Sequence, residues 1–164
     1  MSKREQVVIA RGSFSATDAL CFVASLTGDI EATVDKEIIY PYYCFNADCS
    51  VPTMVGRKQV VLICLVDAIN GIGATADRFE LKNESVLAEL LLPAEIDAQG
   101  AADIAHRTVT HALGKKLRTI SSFDVSVESR GLVHKRFWIV QTSEASVMVD
   151  STTGGLHPLK LRAA

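Results

Sequence analysis

Two short stretches of this chain echo each other, and that echo limits the folds open to it. Val66-Asp67-Ala68-Ile69-Asn70-Gly71 and Val149-Asp150-Ser151-Thr152-Thr153-Gly154 share a Val-Asp-x-x-x-Gly frame, 83 residues apart (67 to 150 and 71 to 154). Upstream, Ile38–Phe45 lines up with Leu132–Ile139, and the first copy carries a longer hairpin loop, Cys49–Lys58. Each block follows an apolar-periodic stretch that closes on glycine, Gly28 and Gly114. The order helix, strands, Asp-x-x-x-Gly turn, strand therefore occurs twice, which is the mark of a copied supersecondary unit. Neither copy has enough core to be comfortable alone, so joining the two buries their open faces. The expectation is an α+β fold of two related halves, 1–92 and 93–164. Each half is expected to be a helix packed on a curved antiparallel sheet, and the two to form one compact unit.

Local signals place the elements. Gln6–Ala10 reads as a strand, and Ser15 with Asp18 three residues on has the spacing of a helix N-cap. The helix is expected over 16–27, with Phe22 and Leu26 (i, i+4) on its buried face. Ile30–Asn46 is rich in β-branched and aromatic residues and reads as strand, with Pro41 marking an edge or bulge. Ser50–Lys58 is expected to be a loop. Gln59–Asp67 reads as a strand buried on both faces, and Asn70-Gly71 turns the chain into a strand over Ile72–Phe79. Glu80–Leu92 is ambiguous, with helix or loop before strand preferred. A second helix opens at Ile96-Asp97, carries Ala101, Ile104, Ala105, Thr108 and Ala112 on one face, and closes at Gly114. Val125–Val127, Leu132–Thr142 and Ser146–Asp150 read as three strands, followed by a short one near Leu156–Leu161.

The second block, ending Val149-Asp150-Ser151-Thr152-Thr153-Gly154-Gly155, resembles the PepSY domain and its cystatin-like relatives. Those are helix-plus-curved-sheet modules whose last hairpin often reads as a valine-aspartate pair before a threonine-glycine turn. The resemblance covers about a quarter of the chain per copy. It implies the fold more than the family's role in peptidase inhibition, because PepSY modules are largely extracytoplasmic. Here Met1–Gln6 leads into only four apolar residues before Arg11, short of a signal-peptide core, and a cytoplasmic protein is expected.

Charge and hydropathy narrow the partners. Seventeen basic residues against nineteen acidic ones give a net charge of −2, unlike a nucleic-acid binder. The one basic cluster, Lys115-Lys116-Leu117-Arg118, falls where a helix dipole favours cations. Hydrophobic residues make up 48% of the chain, yet no apolar run approaches the ~18 residues of a membrane span. That surplus predicts a protein partner or a homo-oligomer.

Chemical motifs are sparse. Cys44 and Cys49 are the only close cysteine pair and lack the second pair of a typical zinc site. The expectation is a core cysteine plus a partly exposed loop thiol, with zinc as the alternative. His106 and His111 lie five apart on one helix and diverge. Asp67 and Asp150 suit turn-stabilising carboxylates better than catalytic ones. No phosphate-binding glycine loop or nucleophile elbow is present. Tyr40, Tyr42, His134 and Trp138 are the candidate binding residues, on aromatic strands that could line a concave sheet. The first expectation is thus a non-catalytic interaction or accessory module. A small-ligand-binding protein or enzyme using the concave face, and a zinc-stabilised accessory subunit, are the alternatives.

Overall fold

The computed structural model describes residues 2–117 and 124–159. The chain is α+β and divides into two compact units, each assembled from separated segments. The first takes the residues up to Tyr40, Glu80–Leu92 and those from His134 onward; the second takes Pro41–Phe79 and Pro93–Val133. The expected junction at 92/93 is one of the points where the chain passes between units.

The first unit contains β1 (Arg4–Ala10), α1 (Ala16–Thr27), the opening of β2 (Thr33–Thr53), β5 (Leu81–Leu87), the end of β6 (Asp124–Gln141), β7 (Ser146–Asp150) and β8 (Leu156–Leu159). Its sheet runs β5-β1-β6-β7-β8. It is mixed where an antiparallel sheet was expected, because β1 pairs in parallel with β6 at Ile9 and His134. Such pairing needs a crossover, and the long path from β1 to β6 supplies one. Glu80–Leu92 also differs from expectation: the strand comes first, and a short 3-10 turn, Ala88–Leu90, follows it. Leu90-Leu91-Leu92 therefore ends the segment beyond the strand, where Leu92 N–H donates to the Ile39 carbonyl.

Helix α1 forms where its caps dictate. Ser15 Oγ accepts from Asp18 N–H (3.2 Å), Asp18 Oδ2 accepts from Ser15 N–H (2.9 Å), and left-handed Gly28 stops the helix. Ala19 and Val23 face a core with Ala32, Val140 and Val149, joined by Leu20, Val34, Trp138 and Leu156. Phe22 and Leu26 do not belong to that core: they are 43% and 67% exposed. The helical period puts them on one flank, but the sheet packs against the neighbouring stripe of small residues.

The second unit contains the rest of β2, β3 (Gly56–Asp67), β4 (Gly73–Ala76), α2 (Ala98–Leu117) and the opening of β6. Its strands run β4-β3-β2, all antiparallel. The expected loop at Ser50–Lys58 is instead the end of a long hairpin. Val51 pairs with Lys58, Pro52 with Arg57 and Thr53 with Gly56, leaving Met54-Val55 at the tip. Pro41 is buried just outside this ladder, which begins at Tyr42, so its missing N–H interrupts none of the pairs from Tyr42 to Thr53. β3 is not buried on both faces throughout: Gln59 and Val61 are exposed, and only Cys64–Val66 is buried without alternation.

Helix α2 runs past Gly114 to Leu117, three residues beyond the expected stop. Asp97 Oδ1 accepts from Gly100 N–H at 2.7 Å and caps its start. Lys115 and Lys116 fall in the last turn, while Arg118 lies outside the described residues. Ala101, Ala105, Val109 and Leu113 face a core of Phe45, Ala47, Cys49, Val51, Cys64 and Val66. β6 is one strand over Asp124–Gln141, where two were expected. Gly131 has a φ of +84° yet does not interrupt it.

Candidate functional site

The two Asp-x-x-x-Gly turns use their carboxylates on backbone. Asp67 Oδ1 accepts from the N–H groups of Ile69 (2.8 Å) and Asn70 (2.9 Å), and Gly71 N–H donates to the Asp67 carbonyl (2.9 Å). In the first unit, Asp150 Oδ1 accepts from Thr152 N–H (2.8 Å) and the Thr152 hydroxyl (2.6 Å), and Gly154 N–H donates to the Asp150 carbonyl (2.8 Å). Gly71 and Gly154 have φ of +72° and +75°, values that glycine tolerates at no steric cost. Asp150 is buried and also meets Lys135 Nζ at 3.4 Å. Burial resists its ionisation, but the Thr152 hydroxyl and N–H and the Lys135 ammonium outweigh that and hold its carboxyl below the ordinary range.

Next to each turn an aromatic side chain reaches back to the start of a helix. Trp138 Nε1–H donates to the Phe14 carbonyl (3.0 Å) in the first unit, and Tyr43 O–H donates to the Ile96 carbonyl (2.8 Å) in the second. Each acceptor lies two residues before its helix. Tyr43→Phe should cost about 1 kcal/mol by removing one such bond, and Trp138→Phe should cost more, because it also shrinks a ring packed on the α1 core. Thermal denaturation of the two variants checks this.

Of the candidate binding residues, Tyr40, His134 and Trp138 belong to the first unit and Tyr42 to the second. Tyr40 packs edge-on against Phe137, with ring centroids 5.9 Å apart. His134 Nδ1 lies 3.4 Å from the Val8 carbonyl, to which it can only donate. Burial pushes the His134 pKa down, against that carbonyl's opposing pull, so the ring favours its neutral form. Trp138 and His134 thus commit ring nitrogens to backbone carbonyls. Tyr42 stands opposite Asp67 in the β2–β3 ladder, and Phe137 opposite Asp150 in the β6–β7 ladder.

Cys44 and Cys49 are both buried in β2, so Cys49 is not the loop thiol expected of it. Desolvation raises both thiols, and pushes Cys64 to about 11. Their chemistry is that of inert core thiols. Among the described residues no three His, Cys, Asp or Glu side chains converge as a metal site would require.

The residue that sequence reasoning missed is Arg136. Its Nε lies 2.7 Å from Glu37 Oε2, its Nη2 donates to Glu84 Oε1, and its guanidinium sits 5.8 Å from the centre of the Trp138 ring. Lys82 Nζ adds a contact to Glu84 at 3.2 Å. Burial opposes ionisation of Glu84, yet Arg136 and Lys82 prevail and lower its pKa. This charge-balanced network leaves no group poised as a base. Its only sequence signal was a single arginine within an aromatic strand.

The exposed apolar residues are more informative. Phe22 and Leu26, one turn apart, leave an exposed apolar flank on α1, whose one charged residue is Asp18, and past the Gly28 stop Ile30, between Asp29 and Glu31, is 96% exposed. Phe14 braces the α1 flank, edge-on to Phe22 at 5.6 Å. α2, by contrast, exposes Asp103, Arg107, Lys115 and Lys116. No family model, curated protein or solved structure matches this chain. No helix among the described residues is long and apolar enough to cross a membrane.

Proposed function

We propose that this protein is a non-catalytic interaction module, a duplicated α+β unit that assembles with a second copy of itself or with a larger protein. The observation that carries the reading is the apolar flank of α1, where Phe22 and Leu26, one turn apart, are both exposed, with a further exposed apolar residue, Ile30, just past the helix end. Scattered exposed apolar residues are ordinary, but a cluster on a helix nearly free of charge marks a contact surface. Ligand binding through Tyr40, Tyr42, His134 and Trp138 has less support, because two of these side chains spend ring nitrogens on backbone carbonyls.

Duplication draws support from matched hydrogen bonds. Ala68 N–H donates to the Pro41 carbonyl and Ser151 N–H to that of Arg136. The Ala68 carbonyl accepts from Glu95 and Ile96, and the Ser151 carbonyl from Ser13 and Phe14. Leu91 bridges Ile39 in parallel, as Ile9 does His134. These bonds pair Tyr42 with Phe137, one residue off the alignment read from the sequence, a slip that turns every strand side chain to the other face. On this reading the Asp150 hairpin keeps its likeness to PepSY modules.

Sedimentation velocity over the micromolar range tests the proposal. Wild type should gain mass with concentration, and Leu26→Lys should stay monomeric with little change in melting temperature, since the site is exposed. If wild type is instead monomeric throughout, affinity isolation from its native source should yield a stoichiometric partner lost with Leu26→Lys. A monomer with no Leu26-dependent partner would reject the reading.

A further inference from the structure

The geometry points to β4 as a docking edge for an extended acidic segment of a partner protein, added as a further strand beside α2. This rests on the interaction-module reading and names a partner chemistry for a second surface. Among the described residues β4 pairs with β3 alone. Asp67 N–H donates to the Ile72 carbonyl, which fixes Asp67/Ile72 as a hydrogen-bonded pair. Alternation along the antiparallel ladder then makes Leu65/Ala74 and Ile63/Ala76 hydrogen-bonded pairs. The Val66/Gly73 and Cys64/Thr75 pairs are of the other kind, so Gly73 and Thr75 aim their N–H and C=O groups outward.

An open edge invites pairing, and proteins usually block it. β8 carries Pro158 and β5 carries Lys82 and Glu84, whereas β4 is Gly-Ala-Thr-Ala with neither charge nor proline. One flank of α2 forms a wall beside it. Ile104, Thr108, His111 and Lys115 fall at i, i+4, i+7 and i+11, which share a helix side. A Cβ on Gly73 would lie 2.2 Å from Thr108 Oγ1, and one on Gly71 would lie 3.4 Å from Ile104 Cδ1, so this flank rests against the strand. The wall starts apolar at Ile104 and ends basic: Lys115 is exposed beside His111, with Arg107 and Lys116 nearby, and neither lysine nor Arg107 has an ion pair among the described residues. Main-chain groups would supply the affinity and the helix flank the preference for acidic side chains. Edge-to-edge pairing of two copies is disfavoured, because it brings two basic α2 flanks together.

Fluorescence anisotropy with a labelled eight-residue peptide alternating valine and glutamate tests this in the full chain. The peptide should bind, more weakly as salt rises, and better than its valine–lysine counterpart. Thr75→Pro removes an outward N–H while sparing the β3 ladder, and should weaken binding about tenfold. Lys115→Glu, which leaves the fold alone, should weaken the glutamate peptide several-fold and favour the lysine one. Equal affinity for both peptides, no binding at millimolar concentration, or indifference to both substitutions would overturn the assignment. A Leu26-dependent assembly that survives in Thr75→Pro would show that β4 docking fails while the interaction module stands; concentration-dependent dimers lost in Thr75→Pro would replace the acidic partner with a second copy.

Discussion

Arg136→Ala is expected to cost about 3 kcal/mol of stability at neutral pH, near the low end for breaking a buried ion pair from one side. The guanidinium is largely sheltered, and its loss strands Glu37 and Glu84, both only partly exposed. Trp138 would also lose the cation beside its ring. The pH dependence has a definite sign. Glu84 titrates below its ordinary value in the folded protein, so its contribution is present above an unfolded pKa of about 4.3 and lost as pH falls through the folded value. In Arg136→Ala burial acts on Glu84 with only Lys82 to oppose it, and its pKa rises. The stability gap to wild type should therefore be widest near pH 7 and narrow below pH 4. Urea denaturation at both pH values measures it; a gap independent of pH would mean that the network is not what Arg136 supports.

Asp150→Ala should be nearly as costly, about 2–3 kcal/mol, because the buried carboxylate accepts two hydrogen bonds and neutralises Lys135. Asp67→Ala removes a comparable pair of turn bonds at a half-buried position and should cost about 1–2 kcal/mol. The order matters more than either value. Asp150 titrates below the ordinary carboxyl range when folded, so its stabilisation holds above an unfolded pKa of about 3.9 and fades as pH drops through the folded pKa. Asp150→Asn keeps an acceptor for Thr152 and should fall between wild type and alanine. Its deficit should shrink in acid, where the wild-type carboxyl is itself protonated. Equal losses at Asp67 and Asp150 would show that burial and Lys135 add nothing to the turn.

What the sequence made legible was local. The Ser15–Asp18 capping box, the Gly28 stop and the two Asp-x-x-x-Gly turns each depend on residues within five positions, and each forms as read. Longer reach failed. Pro52 and Gly56 suggested a loop where cross-strand pairing extends the hairpin to Met54-Val55. Gly114 suggested a stop that a long helix passes through, and the two strands expected over Val125–Val127 and Leu132–Thr142 run as one. Period alone put Phe22 and Leu26 together but could not say that nothing covers them. Arg136 meets carboxylates on two other strands, at sequence separations no local pattern encodes.

The most direct measurement is hydroxyl-radical footprinting of Phe22, Leu26 and Ile30, read by mass spectrometry in the native assembly and in monomeric Leu26→Lys. The account predicts that oxidation of Phe22 and Ile30 is several-fold slower in the assembly than in the variant. Equal oxidation rates in both would mean that this flank of α1 faces water in the working protein, and the proposed role would fall with it.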